Sequence, residues 1–339
     1  MSSSSVEETS AKSVTGSELA DPFGDWVWFR LLTAAVAWLA LALVTSLLPD
    51  KADSDWADTG NLAIAFGLLA AALVVVTLCS IWFPPLRRIE TTAPWLMALA
   101  VLFGAWEIVT AKLGLLPMPF FPPPQAILEV LIDDWSRLGS SIVASLRLLA
   151  GGYFIGAAIG FSAGVAIGWS RAISYWIHPI LRFVGPLPAT AWLPLAFFIF
   201  PSSISASTFL IALATGFPVT VLTWSGVAGV NSAYYDIART LGASRRFLVL
   251  KVAIPAAMPH VVVGLFMGLS NSFAVLVVAE MLGVKSGLGW YLQWSQGWAA
   301  YANMYAVLLV MALICSGLIT LLFRLRDWLL SWQKGLVRW

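Results

Sequence analysis

The chain has 339 residues, 60% of them hydrophobic and 11% charged, with a formal net charge of +2 and a mean hydropathy of +0.87. Soluble domains carry about 25% charged residues, so a water-soluble globular fold is excluded and an integral membrane protein is indicated. The small net charge argues against a nucleic-acid partner, and Cys79 and Cys315, both inside apolar runs, make neither a disulfide framework nor a metal site.

Residues 1–25 are rich in Ser, Thr and acidic side chains, which reads as a disordered tail. They lack the basic start and short apolar core of a signal peptide. Apolar runs at 27–48, 62–83 and 95–115 each approach the roughly 20 residues that a bilayer demands. An acidic loop with Asp50, Asp53, Asp55 and Asp58 follows the first run, and Pro84-Pro85 with Arg87 and Arg88 ends the second. The third contains Glu107, an ionisable group in an apolar setting that marks either function or a structural pair with Lys112 or Arg147. Prolines from Pro117 to Pro124 then forbid helix, and residues 125–135 read as an amphipathic surface helix.

The fourth span, 144–169, carries Gly152, Gly156, Gly160, Gly164 and Gly168 at an unbroken spacing of four. Lipid offers no hydrophobic drive for helix association, so such a stripe reads as a face where another backbone approaches closely. The fifth span, 180–200, holds Pro186, Pro188 and Pro194 and cannot be a regular helix throughout. Irregular backbone at membrane depth is tolerated inside protein or beside a water-filled cavity, so this segment is expected to line a pathway. Spans at 207–225, 261–282 and 304–323 complete a count of about eight. Thr190 and Trp192 on the broken span, with Asn271 and Ser272 near the middle of the seventh, are neutral candidates for contacting a small polar anion. Glu280, at the outer end of the seventh, is placed to gate or brace. His178 and His260 fall near span ends and read as interfacial, and Trp95, Trp135, Trp290, Trp294, Trp298, Trp328 and Trp332 sit where indoles anchor to headgroups.

Between the sixth and seventh spans lies a long polar interruption, 232–256. Ile237 and Leu241 stand four apart on one helical face, while Arg239, Arg245, Arg246 and Lys251 give a cationic side. Gly242 permits a turn between two short helices, and Pro255 is expected to stop the second. The bland alternative is a basic amphipathic helix lying on anionic lipid.

The spacing of Asp236, Ala238, Arg239, Gly242, Arg245, Val252, Ile254 and Pro255 resembles the cytoplasmic coupling loop of ABC importer permeases, with Asp236 where the family usually has Glu and Ile237 where it has a small residue. From about 94 to 332 the resemblance sharpens to the nitrate/sulfonate/taurine/bicarbonate branch. It is carried by Trp106-Glu107, Ser145-Leu146-Arg147, the run from Pro186 to Leu195, Ala238 to Ser244, Val278-Ala279-Glu280-Met281 and Gly287-Leu288-Gly289. The resemblance implies an all-α polytopic protein of the type I importer kind, with a six-helix core and two extra helices at 26–90. It also implies two ATPase subunits docking on 232–256, a second permease copy, commonly identical, and an extracytoplasmic binding protein. ATP and Mg would then be bound by the partner ATPase, with no cofactor in this chain. In agreement, no G-x-x-x-x-G-K-[ST] phosphate loop occurs. Phe200-Pro201-Ser202-Ser203 replaces the family's usual Gly-rich turn, which leaves the solute open among small oxyanions and organosulfonates.

A cytoplasmic loop at 232–256 and eight spans put both termini inside a bacterial inner membrane. About 14 of the 19 basic residues then obey the positive-inside rule. The rival reading is an ion-coupled secondary transporter, which calls for inverted repeats and a midplane carboxylate or histidine relay.

Overall fold

A computed structural model describes residues 27–51, 58–82 and 91–330. The expected tail at 1–25, Asp53 and Asp55, the stretch from Pro84 to Arg88, and Trp332, Lys334 and Arg338 lie outside the described residues. Those residues are almost entirely helical, and seven helices are long and apolar enough to cross a membrane, or eight when one bent pair counts as a span. Contacts divide the chain into two compact units, one of residues 1–117 with 123–125 and one of 118–122 with 126–339.

The first unit holds α1 (Val27–Leu47), α2 (Thr59–Trp82) and α3 (Ala93–Glu107), the last prolonged by a π-helical turn, Ile108–Lys112. α1 packs on both neighbours through Leu31, Ala34, Ala35, Trp38 and Leu41. Trp38 stacks at a tilt on Phe66 and Phe103, at ring centroid distances of 5.4 and 6.2 Å, and its Nε1–H donates to the Leu96 carbonyl at 3.0 Å. The third span therefore packs with the two helices before it, and the compact boundary falls at Pro117, later in the chain than the start of the family resemblance.

Lys112 closes this unit. Its Nζ donates to the carbonyls of Thr45 (3.1 Å) and Leu48 (2.7 Å) at the C-terminal end of α1 and pairs with Asp50 at 2.9 Å and Glu107 at 3.7 Å. The Thr45 hydroxyl and the Gln125 amide donate to the two Glu107 oxygens at 2.7 and 2.9 Å. A cation on the last carbonyls of a helix satisfies groups with no intrahelical partner. Of the two pairings open from sequence, Glu107 makes the one with Lys112.

Next in the chain come α4 (Pro124–Asp133), whose first two residues belong to the first unit and the rest to the second, and α5 (Trp135–Trp169), in the second unit. The expected surface helix is buried over its first turn, including Gln125, Ala126 and Ile127, because Pro122 to Pro124 are themselves packed inside. α5 is 35 residues long, nine longer than the apolar run suggested, since Ser and Arg residues on its first turns do not interrupt the helix. α6 (Arg171–Val184) and α7 (Leu193–Ile199), the latter entered through a 3₁₀ turn at Ala189–Trp192, form the bent pair. α8 (Ser203–Ala228) follows a capping box in which Ser202 and Ser205 serve each other's backbone.

α8 is the central helix of this unit, lying between α5 and α11 (Ile254–Leu282). A Cβ on Gly156 would stand 2.3 Å from the Ala212 carbonyl oxygen, and one on Gly160 2.6 Å from that of Gly216. All five glycines of the α5 stripe meet α8 in this way, as the spacing of four predicts. A second, shorter stripe on α11, Gly264 and Gly268, meets Val219 and Thr215 on the other side of α8. Two glycine-lined grooves let one helix be buried from both sides at backbone distance.

α9 (Ser232–Thr240) and α10 (Arg245–Phe247) form the polar interruption, and α12 (Leu288–Gly297) and α13 (Tyr301–Leu329) end the described fold. Pro255 does not stop the helix, contrary to expectation. A π-helical turn at Leu248–Ala253 joins α10 to α11, and the helix runs unbroken from Arg245 to Leu282. Pro255 sits in the first turn of α11, where the wider preceding turn accommodates its ring and its missing N–H.

Candidate functional site

Three regions gather the residues that the sequence singled out. The first is the bend. After Val184 the chain turns by 87° through Gly185 to Pro188. Pro186 and Pro188 remove two backbone donors there, and Gly185 has no room for a Cβ, which would fall 2.6 Å from the Phe217 ring. Pro194 lies in the first turn of α7, where a missing N–H costs nothing. The bend opens a cavity of about 400 Å³ against the middle of α8 and α11. Its wall is apolar, from Leu213, Phe217, Pro218 and Val275, except for two side chains, Thr190 and Asn271. Two neutral hydrogen-bonding groups in an apolar cavity at a broken helix suit a small polar solute held briefly.

The other two neutral candidates stand apart from it. Ser272 is fully buried, and its hydroxyl donates to the Leu269 carbonyl of its own helix at 3.0 Å. Trp192 packs on the cluster around Leu210 and Leu276, with its Nε1 buried and lacking a hydrogen-bond partner among the described residues.

The second region is the end of α11 opposite its junction with α10. The Ser145 hydroxyl and the Gly289 N–H both donate to Glu280 Oε2, at 2.9 and 2.8 Å, and the Leu288 N–H donates to Ser145 Oγ at 2.8 Å. Gly287 has φ +103°, and a Cβ there would fall 2.2 Å from Glu280 Oε1. Ser145, Glu280 and Gly287 to Gly289, three motifs far apart in the chain, thus form one cluster, which borders a cavity of about 340 Å³ lined by Glu280, Arg147 and Ser286. The carboxylate receives the orphan donors at the start of α12, so Glu280 is a brace between helices. Close by, Tyr291 is buried and donates to Asp134 Oδ2 at 2.7 Å, with Asn303 bonded to both. Burial above all pushes the Tyr291 phenol up to about 12.

The third region is the polar loop. α9 starts on Asn231, whose side chain accepts from the Ala233 N–H at 3.0 Å. At its end the Ala243 N–H donates to the Ala238 carbonyl (3.0 Å) and the Gly242 N–H to that of Arg239 (2.9 Å), while Gly242 takes φ +80°. That is the Schellman pattern, which assigns Ala238, Arg239 and Gly242 to one helix stop. Ser244 then caps the next helix through the Phe247 N–H. Sequence reasoning missed the anchor: Tyr235 meets Trp169 edge-on at 5.8 Å and packs on Val227, Ala253 and Ala257. Burial raises the Tyr235 phenol as well. The opposite side is open, with Ile237 61% and Leu241 83% exposed. Asp236 and Arg239 pair across it at 3.2 Å, while Val252 and Ile254 are half-buried in the following turn. The loop is packed on its inner side, and its outer side combines the apolar Ile237 and Leu241 with the exposed Asp236–Arg239 pair.

Residues 152–334 match the family described as the binding-protein-dependent transport system inner membrane component. The taurine transport system permease protein of Escherichia coli is 32% identical over 262 residues, 73% of this chain and 93% of that protein. A nitrate import permease protein of Synechococcus elongatus is 24% identical over 262 residues, 74% of this chain and 91% of that one. Among solved structures, a chain of the methionine ABC transporter MetNI in an inward-facing form superposes with a TM-score of 0.50 at 15% identity, covering 58% of this chain and 97% of its own, a likeness of fold alone.

Proposed function

The chain belongs to the family of binding-protein-dependent transport system inner membrane components, and from that premise we propose that it forms the path for a small oxyanion or organosulfonate, coupled to ATP hydrolysis through residues 232–256. Membership makes it a multi-pass permease subunit of an ABC importer and sets aside the ion-coupled secondary transporter. The permease core is assigned to 94–332, and the helices within 26–90 are an addition to it.

The observation that carries the coupling assignment is the asymmetry of the loop. Tyr235 packs the loop on the bundle and the Schellman stop fixes its turn, while Ile237 and Leu241 face outward. A partner pressing on such an element moves it as a body. An ATPase subunit, bringing its own ATP and Mg, docks on Asp236, Ala238, Arg239, Gly242 and Arg245, with Val252, Ile254 and Pro255 passing the motion to α11. A second permease copy and an extracytoplasmic binding protein complete the assembly. Both termini then face the cytoplasm. Thr190 and Asn271 contact the solute in the bend cavity, whereas Trp192 and Ser272 stand apart from it and Glu280 braces the end of α11.

The test is purification from native membranes in mild detergent, followed by an ATPase assay on wild type and Gly242→Asp. A Cβ at 242 meets nothing within 4 Å, but at φ +80° any side chain strains the Schellman stop, so the variant disturbs the turn of the loop and adds a charge to it without a steric clash against the bundle. The expected result is a co-purifying ATPase whose activity the variant loses or uncouples. A chain that comes down alone, or a variant with unaltered coupled activity, removes the assignment.

A further inference from the structure

The cavity beside Glu280 is walled by four parts of the chain, with Arg147 and Leu148 on α5, Thr208 on α8, Glu280 at the end of α11 and Ser286 in the turn beyond it. Among the described residues Arg147, which is exposed, has no ion-pair or hydrogen-bond partner. Glu280 is 1% exposed, and its second oxygen, Oε1, has no hydrogen-bond partner there either. One small cavity thus brings together an unpaired cation and a carboxylate with an acceptor to spare.

This cavity does not end at Thr208. The same threonine lines an apolar groove of about 480 Å³ between α5, α6 and α8. On α5 the two spaces follow one face, since Ala144 and Leu148 line the first and Ile155 and Ile159 the second, at spacings of four, seven and four. The groove opens sideways from the protein, because Ile155, Ile159 and Phe209 on it are exposed. Its far end shares Val184, Leu213 and Phe217 with the bend cavity. The depths agree with this layout. Trp169, packed on Tyr235 of the polar loop, stands where indoles anchor to one membrane face. Arg147 lies about 33 Å before it along α5, against a hydrocarbon thickness of about 30 Å, so it reaches the headgroups of the opposite leaflet.

We propose that the cavity and the groove together hold one phospholipid with an ethanolamine headgroup, its phosphate on Arg147, its ammonium beside Glu280 and one acyl chain laid along Ile155 and Ile159 toward Phe217. A charged cavity continuous with an apolar groove matches an amphiphile, and an arginine with a carboxylate matches a headgroup that bears both signs. A choline headgroup has no N–H to give Glu280, and a glycerol headgroup has no positive charge. A chain seated there backs the wall of the bend cavity, so lipid packs the solute site from one side. The site stands on these two spaces and needs neither the coupling assignment nor the identity of the solute.

The test titrates the full-length chain, purified in mild detergent and stripped of lipid, with dioleoyl phosphatidylethanolamine and with its choline and glycerol counterparts, counting bound lipid by native mass spectrometry. One ethanolamine lipid per chain is expected to bind about tenfold more tightly than either counterpart, as one charge-assisted hydrogen bond warrants. Arg147→Gln removes the phosphate partner and Ile159→Trp obstructs the groove. Both positions are exposed, so the fold tolerates the changes, and each should weaken binding by about tenfold. Arg147→Lys retains binding, and Phe154→Trp, exposed and lining neither space, leaves it unaltered. Equal binding of the three lipids, or affinities indifferent to Arg147→Gln and Ile159→Trp, means an unspecific lipid annulus and overturns the proposal. A lipid-free dimer that Ile159→Trp breaks apart overturns it too, because a second copy then covers the groove.

Discussion

Gly151 and Gly156 differ by five positions on one helix, yet alanine at the two is expected to act with opposite sign. A Cβ at 151 meets nothing within 4 Å. Gly151→Ala therefore gains the ordinary preference of a helix for Ala, about 0.5–1 kcal/mol. A Cβ at 156 would lie 2.3 Å from the Ala212 carbonyl oxygen, 2.9 Å from Ala212 Cα and 2.9 Å from Thr215 Cβ. An ordinary C···O contact needs about 3.3 Å. The α5–α8 contact must therefore open by about 1 Å, and all the obstructing atoms belong to backbone or to a Cβ, which no rotamer change can move. Overpacking of this kind costs about 1–3 kcal/mol, more than the helix gains. The helix gain is common to both, so the two variants are separated by the overpacking cost itself, about 1–3 kcal/mol, with wild type between them. The assay is thermal unfolding of the purified chain in one detergent, read by the loss of monodisperse protein. A Gly156→Ala protein as stable as Gly151→Ala would refute the claim that α8 is held at backbone distance.

Glu280→Ala strands the Gly289 and Ser145 donors and is expected to cost about 1–3 kcal/mol, whereas Glu280→Gln keeps an acceptor and costs less; unfolding midpoints of the two rank them. Lys112→Met leaves two carboxylates unpaired and should destabilise by about 3–5 kcal/mol, with partial recovery when Glu107→Gln is added, as a double-mutant cycle would register. Tyr291 has a pKa raised from 10.0 to about 12, chiefly by burial, so the fold favours its protonated form. Its contribution is whole below about pH 10 and is lost as pH rises toward 12. Tyr291→Phe should therefore be less stable than wild type at pH 9, by about 1 kcal/mol, and the gap should close by pH 12; a gap constant with pH contradicts this.

How much of this was legible depended on whether the signal was periodic and local. The spans could be read because apolar runs near 20 residues have few other meanings, and the α5 stripe because five glycines share one spacing. The partner of that stripe could not be read: the Ser and Thr residues of α8 are spread around the helix and mark no distinct face, so nothing in its own pattern shows it as central. α6 was misjudged for the opposite reason, since Arg171, His178 and Arg182 lower its hydropathy while spacing them as a stripe, a signal visible once sought. Pro255 suggested a stop because the π turn that accommodates it leaves no mark in composition. Thr190 was singled out through the proline break and Asn271 by its place near the middle of the seventh span, and both line the bend cavity, whereas Ser272, adjacent to Asn271, turns inward because neighbouring helix positions point about 100° apart. The Glu280 brace joins residues 135 positions apart, a contact that only the tertiary fold creates.

The π turn at Leu248–Ala253 also bears on how motion crosses the bilayer. By removing a loop between α10 and α11 it makes Arg245–Leu282 one continuous helix of 38 residues, about 57 Å long. One end carries the basic side of the polar loop and the other carries Glu280, fastened to α5 and to the start of α12. Under the proposed coupling, a torque at Arg245 would reach the far side along a single shaft. The π turn and Pro259 lie near that end, so bending would be absorbed there and the remaining length would move as one piece.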